Sequence, residues 1–265
     1  RIDTKIDSSG FNKGVASISQ GFAGITKAAG AVGIALTAAF AVKQIIAFGK
    51  QAVALASDLQ EVQNVVDTAF GSMAYKMEEF ADKSIEMYGI SKLSAKQTGS
   101  TFMAMARGMK ISSDSASDMA IQLTALSADM SSFYNVSQDV ASTALKSVFT
   151  GETETLKQFG IVMTQANLQQ FAYENGIKAN ISSMSQAEQV QLRYMYVMKQ
   201  TSMVQGDFAR TSDSWANQTR MLSENWKEFL SMLGSGLIQV LLPLVQILNE
   251  LLKGLIKIAK AIGYV

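Results

Sequence analysis

A chain of 265 residues is long enough for one or two domains with real cores. Cysteine and histidine are both absent, which excludes disulfides, a thiolate nucleophile, a Cys/His zinc site and a histidine general base. The formal net charge of +1 gives no reason to expect nucleic acid as the main partner. A single proline stands against nineteen glycines, and no stretch alternates apolar and polar residues in the manner of a strand. The chain therefore reads as all-α, with long apolar, coiled-coil-like helices at both ends flanking a compact multi-helix middle. It opens on Arg1 rather than methionine, so we expect an excerpt of a longer protein and read no targeting segment from it.

Residues 1–14 are polar and read as a linker. A seam then starts at Val15 and steps by three and four through Ile18, Phe22, Ile25, Ala29, Val32 and Leu36. Lys43 interrupts it, and the pattern resumes at Ile45, Phe48, Ala52, Leu55, Leu59, Val62 and Val66. From Ala28 to Val42 there are fifteen residues without a charge, short of the roughly 20 that span a bilayer. Glycines and alanines keep this surface smooth, which suits close helix packing. Residues 1–70 thus read as one Gly/Ala-rich apolar helix, a bundle seam or a segment that enters membrane at some stage.

Residues 71–210 have a different texture, short helices with recognisable stops, and read as a compact domain. Met73–Tyr88 should end at Gly89. Ser94 with Gln97 resembles a capping box for a helix running to Gly108. Asp114 opens a helix bearing Met119, Leu123, Leu126 and Met130. Ser137 opens another, through Val140, Ala144, Leu145 and Val148 to Gly151. Glu152–Phe159 stops at Gly160 and Thr164–Glu174 at Gly176. The Ser185–Glu188 pair is a clear start for a helix reaching about Val204.

Residues 211–265 read as a long hydrophobic heptad helix. Its candidate oligomerisation seam is Leu237, Leu241, Leu244, Leu248, Leu251, Leu255, Ile258 and Ile262, stepping 4, 3, 4, 3 without exception. Upstream, Leu222, Trp226, Phe229 and Leu233 keep the same rhythm. The phase slips at Gly234-Ser235-Gly236, where a bend or local unwinding is expected, and Pro243 should kink a helix that contains it. Both shoulders of the seam are apolar or small, so three or more helices, or lipid, are needed to cover it. Twenty-one residues, 229–249, carry no charge, and their length alone would permit a membrane span. Self-association and conditional membrane insertion both remain open for this stretch.

Groups that look like chemistry have plainer explanations. Glu152 and Glu154 sit where acidic residues favour the positive end of a helix dipole. Ser212 and Ser214 around Asp213 have no histidine or cysteine to complete a relay and read as caps for the helix of Trp215. Met103, Met105, Met119 and Met130 read as core filler. Tyr194 and Tyr196 beside Arg193 make no basic stripe. No phosphate-loop spacing occurs. We expect no enzyme, no catalytic residue, no metal site and no cofactor.

Two stretches carry a resemblance. One runs Ala144-Leu145-Lys146-Ser147-Val148-Phe149-Thr150-Gly151-Glu152-Thr153-Glu154-Thr155-Leu156-Lys157-Gln158-Phe159-Gly160-Ile161. The other is Gly206-Asp207-Phe208-Ala209-Arg210-Thr211-Ser212-Asp213-Ser214-Trp215-Ala216-Asn217-Gln218. With Ser185–Met198 between them, they resemble the shared block of phage tail tape measure proteins, and the resemblance covers roughly residues 15–250. It implies helices laid along the lumen of a tail tube, in a few copies, whose length sets the length of the tail. It also implies release at infection, with the apolar parts helping the genome cross the host envelope. The implied partners are other copies of the chain, tail-tube and tail-tip or initiator proteins, with the host membrane as a further candidate. The implied location is the virion tail, then transiently the host cell envelope. Phage-tail-like bacteriocins and contractile injection particles share these features. The competing class is a membrane-inserting or pore-forming helical protein without ruler function. A compact middle departs from a pure ruler, because a folded domain shortens the span.

Overall fold

The structure, a computed structural model, describes residues 34–261, with the side chains of residues 47–239 and of part of the stretch beyond. The polar start 1–14, the seam side chains from Val15 to Ile45, and Ile262 lie outside the described residues. Every regular element among the described residues is helical, so the fold is all-α there. The chain divides into two compact units, residues 1–50 and 51–265.

We number the helices α1 (Ile34–Phe70), α2 (Ala74–Asp82), α3 (Ser84–Tyr88), α4 (Lys92–Gly108), α5 (Ser113–Phe133) and α6 (Gln138–Leu145). They continue as α7 (Ser147–Thr150), α8 (Glu154–Lys157), α9 (Gln165–Glu174), α10 (Gln186–Gln200), α11 (Asp207–Thr211) and α12 (Trp215–Ala261). Short 3-10 turns occupy Gly71–Met73 and Ile181–Ser183.

In the second unit the resumed seam of α1 faces inward: Ala52, Val62 and Val66 are buried, with Leu55 and Leu59 half-buried. The main core runs from Val66 to Val204 and is centred on α4 and α5. These two helices approach closely because small residues line their contact. A methyl on Gly99 would meet the Met77 sulfur at 2.5 Å and the Thr124 hydroxyl at 3.5 Å. Two buried hydroxyls on α5 satisfy themselves locally, Thr124 donating to the Ala120 carbonyl at 2.7 Å and Ser127 to that of Thr124 at 2.7 Å. Fully buried Phe102, Phe149, Leu123 and Leu126 fill the remaining space, the two phenyl rings stacked at 6.0 Å. Each such side chain contributes about 1.5–3 kcal/mol by leaving water.

Several helix boundaries follow the expected chemistry. Ser137, Thr164 and Ser185 each cap the helix that follows, and Ser185 with Glu188 closes a full capping box. Gly89, Gly151, Gly160 and Gly176 all take the left-handed conformation at helix ends.

Other boundaries differ. The stretch Met73–Tyr88 is not one helix: it breaks at Lys83, and the buried Ser84 hydroxyl, 2.8 Å from the carbonyls of both Ala81 and Ile90, holds the break. Helix α4 is capped by Ser91 rather than Ser94, the Ser91 hydroxyl accepting from the Ser94 amide at 3.2 Å. Helix α10 stops at Gln200, and the fully buried Thr201 carries the chain out of it by bonding back to the Val197 carbonyl at 2.7 Å.

The expected unwinding at Gly234-Ser235-Gly236 does not occur. Helix α12 is continuous for 47 residues, through both glycines and through Pro243. Gly234 serves a different purpose. A methyl there would lie 1.9 Å from the Ala52 carbonyl oxygen and 2.9 Å from the Ala56 side chain. The glycine is the point where α12 crosses α1 nearly backbone to backbone.

Candidate interaction surface

The two stretches that carry the resemblance become tertiary locks. In the first, α7 ends at Gly151, whose φ of 77° releases the chain sideways. The last turn of α7 leaves carbonyls without intrahelical donors, and Arg193 from α10 supplies them. Its guanidinium donates to Val148 at 2.8 Å and Phe149 at 3.1 Å, and to the Gln189 side chain at 3.2 Å. The guanidinium carbon would sit 3.4 Å from a methyl on Gly151, so the glycine leaves room for it. Burial pulls the Arg193 group down from its ordinary pKa. Leu156, Phe159 and Ile161 then return the chain to the core, and the Tyr134 hydroxyl donates to the Phe159 carbonyl at 2.9 Å.

The second stretch is held by one carboxylate. Asp129, buried on α5, accepts from the amide of Gly206 at 2.7 Å and from that of Phe208 at 3.1 Å. Desolvation raises its pKa, against the lowering effect of these two amides. Phe208 is fully buried, and its ring lies where a side chain on Gly89 would go, 2.3 Å from a methyl there. Asn217 completes the lock, its side-chain amide donating to the Thr211 hydroxyl at 2.8 Å, the Thr211 carbonyl at 3.1 Å and the Ser132 hydroxyl at 3.2 Å.

The residues weighed for chemistry fall apart from one another. Glu154 pairs with Lys157 at 2.7 Å in the first turn of α8. Ser214 accepts from the Asn217 amide at 3.2 Å and caps α12. Ser212 does not cap that helix; its hydroxyl donates back to the Ala209 carbonyl at 3.3 Å. Tyr196 donates to the Val162 carbonyl at 2.8 Å and Tyr194 to the Gln122 side chain at 2.5 Å. Met103, Met119 and Met130 are buried and Met105 packs on the core. An open groove of about 510 Å³ beside Phe171, Tyr194 and Met198 is lined by several polar groups already paired, such as Glu174 with Gln170 at 2.8 Å. Among the described residues no group of three or more acidic side chains could hold a metal ion.

The surface with most to offer is that of α12. Over its first half the side turned toward the rest of the unit carries Asn217, Arg220, Glu224, Lys227, Glu228, Ser231 and Gly234 around the fully buried Leu230, with Met221, Leu233 and Ile238 partly buried beside them. The contact is therefore mixed, mostly polar and small residues around one buried leucine. The opposite stripe is apolar and faces outward, with Trp215 84 %, Leu222 70 % and Leu237 40 % exposed. Trp226 and Phe229 lie on that same side with their rings 5.5 Å apart. Further along, Leu242, Val245, Leu252 and Ile256 are exposed as well. Of the seam named from sequence, Leu237 is described; the side chains of Leu241, Leu244, Leu248, Leu251, Leu255 and Ile258 lie outside the described residues. Among the described residues no helix is long and apolar enough to cross a membrane. Val240, Leu241, Leu244, Ile247 and Leu248 of the 229–249 run are outside that description.

The chain matches no protein-family model, no curated protein and no solved structure.

Proposed function

We propose that this chain is part of a phage tail tape measure protein, a structural ruler in the lumen of the tail tube that leaves at infection and helps the genome cross the host envelope. The observation that supports this most is α12, an uninterrupted helix of 47 residues with large apolar side chains on its outward face. At 1.5 Å per residue it measures about 70 Å. A ruler needs length per residue, and an apolar outer stripe needs other helices around it. In this reading copies of the chain associate through the Leu237–Ile262 seam, three or more together, and tail-tip proteins engage the compact part. The role is structural and calls on no catalysis and no cofactor.

The experiment is an in-frame deletion of about four heptads, roughly 28 residues, from α12 in the parent particle. Tails shortened by roughly 42 Å in electron micrographs, at about 1.5 Å per residue, support the ruler. Tails of unchanged length overturn it for this segment.

A membrane-associating helix without ruler function is the second reading. It is favoured by the exposed Leu252 and Ile256 interleaved with exposed Lys253 and Lys257, a pattern that suits an anionic lipid surface. Co-sedimentation with anionic vesicles, together with unchanged tail length, would put this reading first.

A further inference from the structure

We infer that α12 beyond Asn217 is a detachable arm, docked on the rest of its unit in a weakly held state that opens before the core unfolds. Four observations carry this. The main core closes without it: among the described residues, the buried cluster from Val66 to Val204 and the half-buried side chains packed on it include none of α12. The docked side is mostly polar or small, with Leu230 its one fully buried large apolar side chain among the described residues, so undocking exposes far less apolar surface than opening the core would. Two atoms on that side, Arg220 Nη1 and Glu224 Oε2, are buried with no hydrogen-bond partner among the described residues, and water would solvate both on opening. Most of the apolar stripe, including Trp215, Leu222 and Leu237, faces outward, so docking leaves it largely exposed.

Besides its packing on α3 and around Leu230, the ties that hold the arm among the described residues are slight. Lys92 reaches Glu228 at 3.3 Å while its closer partner is Asp82 at 2.9 Å. The Ser231 hydroxyl lies 3.5 Å from the Leu55 carbonyl. Gly234 against Ala52 is the closest approach, a fit with no space for any side chain. By contrast the root of the helix is tied firmly, through Asn217 to Ser132 and through Phe208 and Gly206 to Asp129. The geometry is that of an arm hinged at a fixed root.

Amide hydrogen exchange on the 265-residue chain tests this, comparing residues 220–238 with α4 and α5. Expected are rates in 220–238 at least about 100-fold above those of the slowest core amides, set by an opening separate from global unfolding. In Gly234→Ala, exchange in 220–238 and in 51–62 accelerates further while α4 and α5 keep their rates. In the doubly substituted Arg220→Leu/Glu224→Leu chain, where the stranded polar atoms are gone, exchange in 220–238 slows. A single shared opening for 220–238 and the core would overturn the inference. So would a Gly234→Ala chain whose rates rise equally everywhere, or a double variant whose arm exchanges faster. The arm does not depend on the ruler, and the exchange result stands apart from the tail-length result.

Discussion

Asp129 shows how much one side chain can organise. It has two amides to satisfy, Gly206 and Phe208, and only a carboxylate offers an acceptor to each. In Asp129→Asn one amide must face an NH₂ group, and we expect a loss of about 1–3 kcal/mol by urea denaturation. The pH dependence has a definite sign. Because its pKa is raised on folding, Asp129 binds its proton more tightly in the folded chain than in the unfolded one. Its contribution to stability therefore falls as pH rises from the ordinary carboxylate value of about 4 toward the raised one. Asp129→Asn should remove that component of the slope. Gly89→Ala tests the same lock from the other side. Its φ of 63° and the Phe208 ring 2.3 Å from the added methyl both oppose the substitution, and thermal unfolding should shift down. None of this is legible locally: Asp129 stands between Ala128 and Met130 like any helix residue, and its partners lie 77 and 79 positions away.

At the scale of elements, caps and stops were readable because they depend on neighbours within four residues. Thr164 is such a case, its hydroxyl accepting from the Asn167 amide at 3.1 Å, and Thr164→Ala should cost about 1 kcal/mol. Ser91 was missed in favour of Ser94 for a nonlocal reason. Ile90 is buried and its carbonyl is held by Ser84, so Ser91 becomes the first residue free to cap. Gly234 is the sharper lesson. Two glycines and a phase slip resemble a helix breaker, yet intrahelical hydrogen bonding continues, and the missing side chain serves the crossing with α1. In an isolated helix Gly→Ala is stabilising by about 1 kcal/mol. Here Gly234→Ala should loosen α12, and the opposite signs separate local propensity from tertiary contact.

For the whole molecule, the core from Val66 to Val204 stands as a body with its own buried interior. Limited proteolysis of the full chain should leave a resistant fragment ending between Val204 and Trp215, or a little beyond at the Asn217 tie, with early cuts in 220–238. Rapid uniform cleavage across 71–204 would count against that body. Leu123 is fully buried within it, and Leu123→Ala should lower stability by about 2–5 kcal/mol and release the fragment's resistance.

Helical periodicity, the scarcity of proline and the lack of strand patterning were enough for the all-α class, because these signals repeat every few residues along one segment. The inward seam Ala52–Val66 was legible for the same reason. Which face of α12 is turned inward was not. An amphipathic pattern says that one stripe differs from the other, and solvent alone would bury the apolar one. Tertiary packing turned a mostly polar side inward instead, with Leu230 buried in it, because Gly234 admits the α1 backbone there and Asn217 fixes the rotation of the helix at its root. Rotation about a helix axis is set by contacts between segments far apart in the chain, and no local pattern encodes it.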